Sequence, residues 1–183
     1  MSSIETSRAL RHLFERYLTA IQEVSGSLPI TEHDPVTRSP CEIGAPDEAG
    51  MVTWRPVPRK PRSTLAEMER TAGVTLPDDL REWFGAWWCL PIEASLFGEP
   101  MVLLGITGPD DELAVAQRWA GHVAARRARG ADDTVPVGAF MDGRILTVSC
   151  PGGEVRMEST ARSLNFVTAS VSDLFGMLVL QTP

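Results

Sequence analysis

What this chain has little of bounds it first. Cysteine occurs three times in 183 residues, at Cys41, Cys89 and Cys150. That odd number, with no Cys-x-x-Cys spacing, argues against both a disulfide framework and a zinc site. Buried or idle thiols are the expectation. The three histidines, His12, His33 and His122, stand far apart and beside no paired cysteine, so neither a metal nor a cofactor is expected. No apolar run approaches the ~20 residues that span a bilayer. The first residues carry Glu5 and lack the apolar core of an export signal, so a cytoplasmic location is expected. Positive charge is in deficit, with 17 Lys and Arg against 24 Asp and Glu and a net charge of −7. That balance disfavours nucleic acid and anionic lipid as direct partners and suits a basic one. Gly-x-Ser-x-Gly, His-Glu-x-x-His and a P-loop are also absent, which leaves no recognisable nucleophile, metal or phosphate motif.

What is there centres on residues 63–88, which read as two helices with a bend. Ser63 or Thr64 can cap the first, with Glu67 completing a capping box after Thr64. Leu65, Met68 and Ala72 share its inner face, and Gly73 can stop it in a left-handed conformation. Pro77 fits the first position of the second helix, where a missing N–H costs nothing. Asp78 and Asp79 suit the positive end of its dipole. Leu80, Phe84 and Trp87 or Trp88 form its apolar face, and Trp83 joins them as a core or interface anchor.

In chain order, residues 4–24 carry Leu10, Leu13, Phe14, Tyr17, Leu18, Ile21 and Val24 at helical spacing, a stripe whose width suits packing on a sheet. Ser2 and Glu5 make a capping box and Gly26 ends the helix. Residues 27–50 read as a long loop. Residues 51–58 read as an edge strand because of their prolines. Arg55, Arg59, Lys60 and Arg62 read as a solvated linker. Residues 101–106 read as a buried central strand. A helix opens at Gly108-Pro109-Asp110-Asp111 and runs to about Arg129, with Leu113, Ala116, Trp119 or Ala120, and Val123 inward. Arg126, Arg127 and Arg129 suit its C-terminal dipole. Residues 135–139, 145–150 and 154–158 form an antiparallel meander, with Asp142-Gly143 as a two-residue hairpin turn. A helix capped by Ser170 and Asp173 closes the chain over 170–180.

Several of these pieces resemble the Syd family of the SUKH superfamily. They are the residue 63–88 motif, Arg16-Tyr17, Leu28-Pro29, Ser39-Pro40-Cys41, Trp54-Arg55-Pro56-Val57-Pro58, Phe97-Gly98-Glu99, Gly121-His122-Val123 and Gly152-Gly153-Glu154. One departure is visible. Gly130 to Thr134 adds two aspartates, so local charge there is not transferable.

The resemblance implies an α+β fold, a mostly antiparallel twisted sheet packed with helices, as one domain over residues 1–183. It implies a non-catalytic binding protein. The partner it implies is SecY, the translocase channel, met at the cytoplasmic side of the inner membrane, where the protein would check or restrain translocation. It also implies an acidic groove for the partner's basic loops. Glu93, Glu99, Asp110, Asp111, Glu112 and Glu154, all at element ends, are the candidates here. A SUKH immunity protein that neutralises a toxin is the alternative, and an enzyme with an unrecognised site is a third reading.

Overall fold

The computed structural model describes residues 3–159 and 164–182. It is an α+β fold in which a curled antiparallel sheet is wrapped by five helices. The helices are α1 (Ser3–Ser25), α2 (Ala66–Ala72), α3 (Asp78–Ala86), α4 (Pro109–Arg127) and α5 (Val171–Met177). The strands are β1 (Ile30–Glu32), β2 (Glu42–Ile43), β3 (Met51–Trp54), β4 (Val57–Pro58), β5 (Trp87–Trp88), β6 (Ile92–Leu96), β7 (Glu99–Leu103), β8 (Thr134–Phe140), β9 (Ile145–Ser149), β10 (Val155–Glu158), β11 (Leu164–Thr168) and β12 (Val179–Leu180). Seven strands form the main sheet in the order β11-β10-β9-β8-β7-β6-β12. The expected central strand is therefore interior, as β7, and the expected meander is there as β8–β10.

The apolar stripe of α1 is buried at Leu10, Leu13, Phe14, Tyr17 and Ile21, but Val24 is exposed. The stripe faces helices more than sheet, packing on α5, α3 and β12. Gly26 ends α1 with φ +72. Ser2 lies outside the described residues.

The residue 63–88 motif folds as two helices, with changes at its ends. Neither Ser63 nor Thr64 caps α2: their hydroxyls accept the N–H groups of Leu65 and Ala66 in a local turn, and Leu65 is the N-cap residue at φ 57 with no side-chain cap. Gly73 is left-handed at φ 69 and its N–H bonds Glu69 O, as expected of a helix stop. Pro77 precedes α3 as its N-cap residue rather than opening it. Asp79 is not simply a dipole partner: it is buried and accepts a hydrogen bond from Thr6 Oγ1 of α1. Thr6 Oγ1 in turn accepts from Ser172 Oγ of α5 at 3.0 Å. The helix stops at Ala86, so Trp87 and Trp88 leave it as β5 and pair with β4. Within α3, Trp83 stacks on Phe84 at 4.4 Å and meets Phe175 of α5 edge-on at 5.1 Å. Phe84 meets Trp119 of α4 edge-on at 5.4 Å. Edge-to-face pairs of this kind add ~0.5–1.5 kcal/mol beyond area burial, so α3 is the hub on which α1, α4 and α5 converge.

Several local expectations are corrected. The 27–50 loop contains β1 and β2, which flank β3 in a small sheet ordered β1-β3-β2. Residues 51–54 are thus its centre, not an edge, because the prolines begin only after Trp54. Arg59 is buried, not solvated. It donates to Phe84 O at 2.8 Å, pairs with Glu112 and lies 3.7 Å over the Trp88 ring. Arg62 pairs with the buried Glu82 at 2.8 Å. On α4, Leu113 is exposed, and Val115, Ala116, Trp119 and Val123 form the inner face. The β8–β9 turn has three residues, since Phe140 and Arg144 still pair and Gly143 turns at φ 86, a type I turn with a bulge glycine. Ser170 caps α5 as expected, accepting Asp173 N at 3.1 Å. The helix ends at Met177, however, and β12 follows, pairing antiparallel with β6. The β6–β7 hairpin, with Phe97 and Gly98 both at positive φ, went unread in the sequence.

Candidate functional site

A cleft of about 430 Å³ opens where α1, the 25–31 segment, β3 and the start of β6 meet. Helical spacing places Tyr17 and Ile21 one turn apart on the inner face of α1. Trp54 closes β3 against them, its ring 5.7 Å from that of Tyr17. Leu28 and Pro29 form one wall, and Pro29 O holds the Trp54 N–H at 2.9 Å. Glu93, in β6, forms the other wall with Gln181, whose N–H bonds Glu93 O at 3.2 Å.

Two titratable side chains line this cleft, and both are without a partner among the described residues. The Glu93 side chain has no hydrogen bond or ion pair among the described residues, and neither does the hydroxyl of Tyr17, which opens to the cleft. Burial pushes the Tyr17 pKa up to about 12, with the nearby Cys89 and Glu93 adding to the rise. The phenol is therefore a neutral donor or acceptor at physiological pH. An aromatic floor beside an unpaired carboxylate can take a cation over the ring face and hold it by a charge-assisted hydrogen bond.

The other five predicted carboxylates are placed differently. Glu99 pairs with Arg144, which also holds Asp142. Glu112 pairs with Arg59. Asp111 accepts the Thr107 N–H at 3.1 Å and lies 3.5 Å from Arg118. Glu154 pairs with Arg156 at 2.5 Å. Asp110 is exposed and shares a shallow pocket of about 250 Å³ with Asp111, Thr37 and Arg38. The six thus lie in separate places: Glu93 lines the aromatic cleft, Asp110 and Asp111 line a second pocket, and Glu99, Glu112 and Glu154 line neither.

A second polar constellation was not anticipated. Glu158 on β10 accepts hydrogen bonds from Thr134 Oγ1 at 2.6 Å and Thr147 Oγ1 at 2.9 Å, and pairs with Arg126 Nη1 at 3.2 Å. His122 Nε2 lies 2.9 Å from Thr134 Oγ1. Because the Thr134 hydroxyl proton already serves Glu158, the imidazole Nε2 is the donor in that contact. Burial pushes the Glu158 carboxyl up, but the neighbouring His122 imidazole and the hydrogen bonds from Thr134 and Thr147 outweigh it and bring the pKa down to about 2. Periodicity could not have found this cluster, since its members come from α4 and three strands. Gly121-His122, already visible as a motif, was the one available signal.

The three thiols are free cysteines. Burial pushes Cys41 up to about 11 and Cys150 up to about 12, and raises Cys89 well above the usual thiol range. They stay protonated and poorly nucleophilic. Among the described residues, no group of three or more His, Cys, Asp or Glu side chains is placed to hold a metal ion, and no helix is long and apolar enough to cross a membrane.

Comparison with known proteins adds to this geometry. The chain is 29% identical over 162 residues to Protein Syd of Pseudoalteromonas translucida, covering 88% of this chain and 90% of that one. It is 26% identical over 168 residues to Protein Syd of Erwinia tasmaniensis, covering 91% and 89%. It is 24% identical over 177 residues to Protein Syd of Cronobacter sakazakii, covering 95% and 96%. The model of the family described as Syd protein (SUKH-2) matches residues 7–178, and the chain belongs to that family.

Proposed function

We propose that this Syd-family protein is a non-catalytic binding protein that docks on basic cytoplasmic loops of the SecY translocase channel. The carrying observation is a convergence. Tyr17, Leu28, Pro29 and Trp54 come from three motifs separated along the first third of the chain. They meet around the one predicted carboxylate, Glu93, that lies in an aromatic cleft without a cation of its own.

In this reading an Arg or Lys side chain from a partner loop enters the cleft, lies against Trp54 and Tyr17, and meets Glu93. Cytoplasmic loops of membrane proteins are enriched in Lys and Arg, and the net charge of −7 favours encounter with them. Glu99, Asp110, Asp111, Glu112 and Glu154 form the outer acidic field. Four of these five already touch arginines or a backbone N–H, so they act on encounter rate more than on residence. Membrane association comes only through the partner, at the cytoplasmic side of the inner membrane, and the role is to check or restrain translocase assembly.

The test is surface plasmon resonance on immobilised SecY loops, paired with a pull-down from native membranes. Glu93→Lys should raise Kd by about tenfold or more, roughly 1.4 kcal/mol, with an unchanged melting curve. Reversing Glu99, Asp111 and Glu154 to Lys together should slow association and weaken its salt dependence. Binding indifferent to Glu93→Lys, or recovery of a toxin domain with no translocase subunit, overturns the proposal.

A further inference from the structure

We infer that the pocket between the C-terminal half of α4 and strands β9 and β10 binds the carboxylate of a small organic acid. This site is separate from the aromatic cleft and does not depend on the proposed partner. Its volume is about 350 Å³, and its walls include His122, Arg126, Arg129, Ile145, Glu158 and Ser159.

The argument begins with a buried donor that the protein does not satisfy. Arg126 is buried, with Nε donating to Asp132 O at 2.7 Å and Nη1 paired to Glu158 Oε2 at 3.2 Å. Its Nη2 is buried with no hydrogen-bond partner. Leaving such a group unpaired is costly, and more so for a charged one. Glu158 is already occupied: one oxygen takes Thr134 and Thr147, and the other takes Arg126. At the rim, Arg129 is exposed and its side chain makes no hydrogen bond or ion pair among the described residues. A guanidinium half-used in the floor and another unused at the mouth make a fork suited to a planar oxyanion.

Charge selects which oxyanion. Arg126 and Arg129 against Glu158 leave one positive charge among these three side chains, which a monoanion balances. The last carbonyls of α4 lie at the same end of the helix and carry the negative end of its dipole, which opposes a monoanion modestly and a dianion such as phosphate about twice as much. Ile145 and Ala125 offer an apolar wall for a short aliphatic stem. The volume falls at the lower end of ordinary small-molecule sites.

The experiment is a ¹H–¹⁵N correlation titration of the full chain with sodium butyrate, sodium phosphate and sodium chloride at matched ionic strength. Butyrate should give saturable shifts in the amides of residues 122–129 and 145, and phosphate should give only what chloride gives. Arg129→Ala removes a solvent-exposed side chain and should fold normally, while weakening butyrate binding by about tenfold or more. Saturable phosphate binding tighter than butyrate overturns the carboxylate assignment. No saturable response to butyrate, or one undiminished in Arg129→Ala, overturns the site.

Discussion

Glu158 and Glu93 are the same residue type in two opposite settings. Glu158 is enclosed by two threonine hydroxyls, a histidine and an arginine. Glu93 sits on an apolar wall with a backbone contact and nothing on its carboxylate among the described residues. The first carboxylate joins α4 to the sheet and leaves no capacity for a partner. The second contributes nothing visible to the fold and keeps all its capacity. An internal network and an open acceptor are thus distinguished by who already holds the charge, not by the residue.

That contrast can be broken most strongly at Glu158. Glu158→Leu leaves the Arg126 charge uncompensated and should cost about 3–5 kcal/mol in chemical denaturation. A loss under 1 kcal/mol would mean that the network is ornamental to the fold. The pH dependence comes next. The Glu158 pKa is lower in the folded protein, about 2, than the ordinary glutamate value of 4.5. Its contribution is therefore complete above pH ~4.5 and is lost as pH falls through ~2. Denaturation curves of the wild type and Glu158→Gln should converge in that window, and parallel curves would contradict the assignment. In the cleft the effects are smaller. Tyr17→Phe should change stability by less than about 1 kcal/mol, because its hydroxyl satisfies no buried group. Glu93→Gln should stay within ~0.5 kcal/mol of wild type while weakening loop binding. A substantial destabilisation by Glu93→Gln would show that it, too, is a structural carboxylate.

Much of the frame was legible because it rests on local periodicity. The α1 stripe, the Gly73 stop, the Ser170 cap and the meander each depend on residues a few positions apart. The short strands β1, β2, β5, β6 and β12 were not, since two to five residues carry too little pattern and are held by distant partners. Arg59 looked solvated because it sits among prolines and charges. Its burial depends on Phe84, Trp88 and Glu112, which only the tertiary fold supplies. The site was half legible. Glu93 was named among six carboxylates; Arg156 stands two residues from Glu154, but nothing local distinguished Glu93 from Glu99, whose partner Arg144 lies far along the chain. Tyr17, Leu28, Pro29 and Trp54 were named for the resemblance they carry, and their meeting point could not be read from positions so far apart.

The strand order has a kinetic consequence. From β6 to β11 every neighbour in the sheet is also a neighbour in sequence, and apart from the β7–β8 step, which carries α4 between its strands, the pairings close through short loops. β12 alone must return to β6 across on the order of 80 residues, and its closure bears the larger entropic cost. The same return sets Gln181 against Glu93 and completes the cleft wall. Refolding followed by a probe of the meander should therefore run ahead of refolding followed by a probe of the cleft wall, which is complete only when this slowest contact has formed.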